Sequence, residues 1–195
     1  TPKESYDWLK SNNFNWVEMP YDEGKGFLWN LYKGWNYGYE IGYQHSDIVV
    51  PIATDHAYYK DWLKNLISWS QPNRIVNCKL IEPGSLPTLH TAINCGVTLK
   101  GQFDFDKFNK ACEHIYKDSM FIDDYSGWYH ENHGVGGSYG HRIDAMPFAC
   151  PKDVWERFGP MLQTTNAHGT TGDTDFFDRC RSGGVEMVKA FNAIS

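Results

Sequence analysis

The chain has 195 residues, a net charge of −6, 41% hydrophobic and 16% aromatic residues, which excludes a disordered chain and favours one domain with a sizeable core. An acidic chain without a Lys/Arg cluster is poorly suited to binding phosphates, so we expect no nucleic-acid partner. No apolar run approaches the roughly 18 residues of a transmembrane helix, so we expect no membrane span. Five cysteines without a CxxC pair favour a reducing compartment, and we expect a cytoplasmic protein.

The first half of the chain alternates strand and helix patterns. Residues 14–20 predict a strand, and residues 27–43 predict a helix because apolar side chains recur there at helical spacing. The continuously apolar run 47–53 predicts a strand buried on both faces, which is typical of a parallel sheet. A helix is predicted over roughly 58–69.

The second half predicts further strands and helices around one long loop. In order, the sequence predicts a strand over 74–83, a helix over 104–118, a loop over 118–142, a strand over 143–150, helices over 151–159 and 172–184, and a strand over 185–191. This order predicts an α/β fold in which a mixed, mostly parallel sheet is flanked by helices. No repeat or linker divides the chain, so residues 1–195 are interpreted as a single domain.

Two polar residues, Asp55 and His56, directly follow the apolar strand. In open α/β sheets, ligands bind beyond the carboxyl ends of the strands, so this pair is a candidate site. A carboxylate can hold Mg²⁺ or Mn²⁺, and an added imidazole favours Mn²⁺. The alternative interpretation is that Asp55 caps the helix that follows.

Three stretches of the sequence together resemble one protein family. They are YDEGKGFLWNLYKGWNYGYEIGYQHSDIVVPIATDH, HRIDAMPFACPKDVWERFGPM and GDTDFFDRCRSGG. The chain resembles a nucleotide-sugar glycosyltransferase of the GT-A fold, in the inverting family 2 group. The resemblance implies metal-assisted transfer of a sugar from a nucleoside-diphosphate donor to a hydroxyl of a sugar or glycoconjugate acceptor, with Mn²⁺ or Mg²⁺ as the cofactor.

Individual residues match the motifs of that family. The matching positions are Asp22, Gly24 and Asn30 in the turn and helix of the first stretch, Asp55 at the end of the metal motif, and Asp173 and Asp175 in the third stretch. The resemblance implies that Asp55, with His56 beside it, binds the metal. It also implies that Asp173 is the catalytic base and that Asp175 binds substrate.

The sequence departs from the family at three points. Ala53 stands where the first acid of the metal motif is expected, and Gly172 stands where a Glu precedes the base. The opening strands that grip the nucleobase and ribose have no counterpart, so the resemblance implies a GT-A fold truncated at its N-terminus. Residues 1–70 are then the remainder of the donor-binding half, and residues 71–195 are the acceptor-binding half.

The chemistry of an inverting transfer gives these residues a physical role. The acceptor hydroxyl must lose a proton, and a carboxylate at the start of a helix, such as Asp173, can take it. The alternative for Asp173 is the N-cap of its helix. In or beside the long loop, Trp128 can stack on a sugar ring and His141 can bind hydroxyls or phosphate, and both are interpreted as substrate-binding together with Asp144.

Two other classes of function stay open. His130 and His133 flank Glu131 and would supply part of a zinc site in a metal-dependent hydrolase. The aromatic content and the missing donor-binding strands also allow a non-catalytic carbohydrate-binding module.

Overall fold

The computed structural model describes residues 3–53, 56–79, 103–118, 122–124, 147–165 and 171–195. Six helices and five strands lie in these ranges: α1 (Lys3–Ser11), α2 (Gly26–Gly42), β1 (Ile48–Val49), α3 (Trp62–Ser68), β2 (Arg74–Lys79), α4 (Phe105–Asp118), β3 (Ile122–Asp124), β4 (Phe148–Pro151), α5 (Lys152–Phe158), α6 (Gly172–Ser182) and β5 (Glu186–Ile194). The predicted α/β class is confirmed. None of these helices has the length and hydropathy needed to cross a bilayer.

The five strands form one mixed sheet in the order β1-β4-β2-β5-β3. β2 and β5 pair in parallel, whereas β4 runs antiparallel to both β1 and β2, and β3 runs antiparallel to β5. The predicted mostly parallel character is therefore not confirmed, since one of these four pairings is parallel. The alternation of strands and helices along a sequence does not determine which strands become neighbours, and here β4 inserts between β1 and β2 in the opposite direction.

Helices cover both faces of the sheet, because its strands are apolar on both sides. On one face Tyr39 of α2 and Phe176 of α6 pack with Phe148 of β4. On the other face Leu66 of α3 packs with Val76 of β2. Each fully buried side chain of this size stabilises the fold by roughly 1.5–3 kcal/mol relative to leaving it in water.

Asn73, directly before β2, is hydrogen-bonded to α5, to the turn after α6 and to the start of β5. Asn73 has a left-handed backbone, with φ of 58°, which asparagine tolerates well. Its N–H donates to Asp153 of α5 at 2.8 Å, and its side-chain amide donates to the Gly184 carbonyl beyond α6 at 3.0 Å. Its side-chain oxygen accepts from Arg157 at 2.7 Å, and its carbonyl accepts from the N–H of Glu186 at 2.9 Å.

The segment 14–20 is not a strand, and the helix before it was not predicted. Phe14 stacks on Trp8 of α1 with 5.2 Å between ring centroids, and Trp16 packs on Tyr6 at 5.1 Å. The segment thus pairs its aromatic side chains with α1 rather than entering the sheet. No residue of α1 is buried, and Phe14 keeps 54% of its surface exposed.

Several predicted boundaries need correction. β1 is shorter than the predicted strand 47–53, and Pro51 has no N–H with which to extend the ladder. α3 begins at Trp62, not near residue 58, and Asp61 occupies its N-cap position. β3 lies inside the segment predicted as a loop over 118–142. The helices predicted over 27–43, 104–118, 151–159 and 172–184 are confirmed to within about two residues at each end.

Candidate functional site

Asp173 lies in the first turn of α6, half-buried, with one carboxylate oxygen held by three donors. Its Oδ1 accepts hydrogen bonds from the Tyr32 hydroxyl at 2.8 Å, the Thr171 hydroxyl at 2.5 Å and the Thr174 N–H at 2.9 Å. Its Oδ2 has no partner among the described residues. Thr171 occupies the N-cap position, so the alternative that Asp173 is the N-cap is wrong. The carboxylate is oriented by its surroundings and keeps one oxygen for a ligand.

The hydroxyl groups around Asp173 form a short directed chain. The Thr171 hydroxyl has a single proton, which it donates to Asp173 Oδ1. The Thr171 and Thr174 hydroxyls are 2.9 Å apart, so Thr174 must then donate to Thr171. The resulting order is Thr174 to Thr171 to Asp173, and it fixes the rotamers of three side chains.

Tyr32 comes from the middle of α2 and is almost fully buried. Burial, and then the negative charge of Asp173, raise the pKa of the Tyr32 phenol to about 12. The phenol therefore keeps its proton at neutral pH and acts as a permanent donor to Asp173. Its ring also meets Trp35 edge-on, with 5.4 Å between centroids, which fixes the position of the hydroxyl.

Gly172 allows α6 to approach α2 this closely. A Cβ atom at this position would overlap the carbonyl oxygen of Leu162 and would come within 2.8 Å of the Tyr32 ring carbons. Any larger side chain at position 172, including the Glu of the family motif, would push Tyr32 away from Asp173. The departure from the motif is thus coupled to the hydrogen bond that holds the carboxylate.

Asp175 faces a different side of α6 from Asp173. Two positions along a helix differ by about 200° around its axis, and the two carboxylates bind different partners. Asp175 Oδ2 accepts from Arg179 Nε at 2.9 Å and lies 2.8 Å from Arg179 Nη2, which also donates to the Pro160 carbonyl at 2.8 Å. Asp175 and Arg179 line an open cleft of about 600 Å³ between α2, α6 and the segment 160–163, and Asp173 is not among its lining residues.

The predicted turn motif before α2 is a hydrogen-bonded unit. The Asn30 side-chain oxygen accepts from the Asp22 N–H at 2.7 Å, and its amide donates to the Asp22 carbonyl at 2.9 Å and to the Gly26 carbonyl at 2.7 Å. The Asp22 carboxylate accepts from the Gly24 N–H at 3.2 Å. Asp22 and Asn30 therefore hold the turn in place through these hydrogen bonds.

The predicted metal pair is described only in part. Asp55 lies outside the described residues. Asp61 stands at the N-cap position of α3 without a capping side-chain hydrogen bond, and both interpretations of Asp55 stay predictions. His56 is half-buried and begins a run of rings, with Tyr58 at 6.0 Å and Trp62 a further 4.2 Å from Tyr58. Within the described ranges no group of three or more His, Cys, Asp or Glu side chains could hold a metal ion.

Other predicted site residues lie outside the described part of the chain. They are Trp128, His141 and Asp144 of the predicted substrate site, and His130, Glu131 and His133 of the alternative zinc site. Sequence reasoning missed Tyr32, Thr171 and Thr174 around Asp173. The signal for Tyr32 was a tyrosine on the buried face of an amphipathic helix, since a buried phenol needs a hydrogen-bond partner.

The chain matches no protein-family model, no curated protein and no solved structure. The geometry around Asp173 and the motif residues of the sequence are therefore what bears on function.

Proposed function

We propose that this chain belongs to a nucleotide-sugar glycosyltransferase of the GT-A type that transfers a sugar, with inversion, from a nucleoside-diphosphate donor to an acceptor hydroxyl. One observation carries this assignment: the Asp173 carboxylate has three donors on Oδ1 and no described partner on Oδ2. A carboxylate that only capped a helix would not need a buried tyrosine from another helix to orient it. The resemblance of the three sequence stretches to the family supports the same assignment.

Asp173 acts as the general base in this mechanism. The acceptor hydroxyl oxygen forms a bond to the anomeric carbon of the donor sugar while the bond from that carbon to the diphosphate breaks. Asp173 Oδ2 takes the hydroxyl proton as the new bond forms, and the electron pair of the broken bond leaves with the diphosphate. Tyr32 and Thr171 hold Oδ1 still, so that Oδ2 stays aimed at the acceptor through the reaction.

The leaving diphosphate gains negative charge as it departs. A Mn²⁺ or Mg²⁺ ion held by Asp55 and His56 would neutralise that charge when bound, and a carboxylate with an imidazole is a donor set that fits Mn²⁺. The Asp22–Asn30 turn supports the assignment in a different way: it fixes the start of α2, which carries Tyr32 to Asp173.

The experiment compares Asp173→Asn with Asp178→Asn in the protein. The parent is incubated with Mn²⁺, a panel of uridine- and guanosine-diphosphate sugars and neutral oligosaccharide acceptors, and nucleoside diphosphate release is measured. Asp173→Asn is expected to lower the rate by roughly 10²–10⁴-fold, because an amide cannot accept the proton. Its melting temperature should stay close to that of the parent, since the amide oxygen still accepts hydrogen bonds.

Asp178→Asn is the matched control. Asp178 lies on the same helix, is exposed and pairs with Arg181, so its loss should leave the rate nearly unchanged. Should Asp173→Asn turn over as fast as the parent per folded molecule, the base is another residue. A parent that releases no diphosphate from any donor with any acceptor contradicts the transferase assignment and favours a carbohydrate-binding module.

A further inference from the structure

Hydrogen bonds hold the walls of the cleft beside Asp175 in place. On its α2 side, the Asn36 amide donates to the Met161 carbonyl at 2.9 Å, and the Asn36 side-chain oxygen accepts from the Met161 N–H at 2.9 Å. On its α6 side, Arg179 holds the carbonyl of Pro160. The segment 160–163 is thereby fastened from both helices, and the space between them stays open at about 600 Å³, within the range of small-ligand sites.

The cleft also presents polar groups that no described residue satisfies. Glu40, one turn beyond Asn36 on α2, has no hydrogen-bond or ion-pair partner in the described ranges. The Gln163 side chain and Arg179 Nη1 are equally without partners there. The side chain of Leu162 also lines the cleft and keeps 47% of its surface exposed.

This combination fits a ligand that has hydroxyl groups around an apolar face. The Glu40 carboxylate and the Gln163 amide each offer two neighbouring donor or acceptor atoms, which can bind adjacent hydroxyls in pairs, and Arg179 Nη1 offers a further donor. Leu162 and Pro160 offer an apolar surface on which the C–H face of a sugar ring can lie. Glu40 and Asp175 against Arg179 leave one net negative charge, which disfavours an anionic ligand.

We propose that this cleft is a binding subsite for neutral, hydroxyl-rich oligosaccharide, separate from the site of the Asp173 chemistry. The choice of carbohydrate over other polar ligands rests on the proposed function. Asp173 does not line the cleft, and Asp175, which does, faces a different side of α6, so the cleft binds sugar units other than the one that carries the reacting hydroxyl. It would select acceptors by length without touching the reaction itself.

The experiment is an NMR titration of the isotope-labelled protein with two neutral tetrasaccharides, cellotetraose and N-acetylated chitotetraose, and with an anionic hyaluronan tetrasaccharide. At least one neutral probe is expected to shift the backbone amides of 161–163 and Arg179 saturably, with a Kd in the millimolar range or tighter. The anionic probe of the same length should bind at least about tenfold more weakly. Tighter binding of the hyaluronan probe, or no saturable shift at these amides with either neutral probe, overturns the subsite.

Two substitutions test the polar groups directly. Glu40→Ala and Gln163→Ala should each weaken binding of the neutral probe by roughly threefold to tenfold, the loss expected for one hydrogen-bonding group. Glu156→Ala and Gln44→Ala are the matched controls, because both residues are exposed and lie outside the cleft. The amide spectrum of each variant reports whether it is folded. Equal effects of the cleft and control substitutions also overturn the subsite.

Asp173→Asn separates this inference from the proposed function. Binding to the cleft should be unchanged in that variant, whereas transfer should be lost. If the cleft binds the neutral probe but the protein consumes no donor, the subsite is upheld and the transferase assignment is rejected. If the protein transfers sugar but the cleft binds no probe, the transferase assignment is upheld and the subsite is rejected.

Discussion

Replacing Gly172 with Ala adds one methyl group at the tightest contact of the candidate site. The new Cβ would overlap the Leu162 carbonyl oxygen and come within 2.8 Å of the Tyr32 ring. A flexible side chain could rotate away from such a clash, but a backbone carbonyl and a buried ring cannot. Helix α6 must therefore move outward from α2, which also lengthens the hydrogen bond between Tyr32 and Asp173.

The size of the effect follows from two opposing contributions. Alanine is favoured over glycine in a helix by up to about 1 kcal/mol, with less to gain at the first position of a helix. Forcing a methyl group into a filled space costs about 1–3 kcal/mol. We expect a net loss of roughly 1–2 kcal/mol, which lowers the melting temperature by about 2–8 °C in a domain of this size.

Gly38→Ala is the control with the opposite sign. Gly38 lies away from the ends of α2 on its solvent-exposed side, and a Cβ there would meet no heavy atom within 4 Å. This substitution should stabilise the protein by about 0.5–1 kcal/mol. Urea unfolding followed by circular dichroism measures both free energies. If Gly172→Ala is as stable as the parent, or if both substitutions shift stability in the same direction, the close approach of α6 to α2 is refuted.

Two further predictions concern Tyr32 and the metal. The unfolded chain releases the Tyr32 proton near pH 10 and the folded chain near 12, so this contribution to stability is complete below pH 10 and is lost as pH rises to about 12. Tyr32→Phe should therefore show a shallower fall of unfolding free energy over that window in urea titrations, and an unchanged slope contradicts the burial of the phenol. Mn²⁺ with a nucleoside diphosphate should raise the melting temperature of the protein by mass action, and Asp55→Ala should abolish this gain while Asp47→Ala keeps it. An undiminished gain in Asp55→Ala would mean that Asp55 does not bind the metal.

Helices were predictable from the sequence wherever one face of them is buried. In α2, apolar residues at helical spacing predicted the helix through Leu28, Leu31, Trp35 and Tyr39. The side chains that are buried most deeply are Tyr32, Asn36 and Tyr39, so the buried face lies about one position away from the predicted one. Tyrosine and asparagine side chains can be buried in a core when their polar atoms find hydrogen-bond partners. A pattern of hydrophobic residues alone does not predict such positions.

The sheet and the N-terminal segment were harder to predict for a different reason. Strand direction and the position of β4 depend on contacts between segments far apart in the chain, which a local pattern does not contain. Residues 14–20 have a strand-like composition, but strand formation also needs a neighbouring edge, and α1 takes up the aromatic side chains first.

The same difference between local patterns and distant contacts applies to the candidate site. Asp173 was identified because its motif is local, and its position in the first turn of a helix is confirmed. Tyr32 was missed because its hydrogen-bond partner lies 141 residues away along the chain. The orientation of a site residue depends on such distant contacts, whereas its chemical type is known from the sequence of its own segment.

The hydrogen bonds of Asn73 have a consequence for how this protein can evolve. Asn73 lies at the C-terminal end of α6, and Asp173 lies at the other end, about 16 Å away along a helix of 11 residues. Asp173 and the hydrogen bonds of Asn73 are therefore separated by the length of one helix. Substitutions in the segments around Asp173 can therefore alter the surface there without removing the hydrogen bonds of Asn73, and so at little cost to folding. Changes at Asn73 itself have no such freedom, since a different side chain would lose the hydrogen bonds to Gly184 and Arg157 at once.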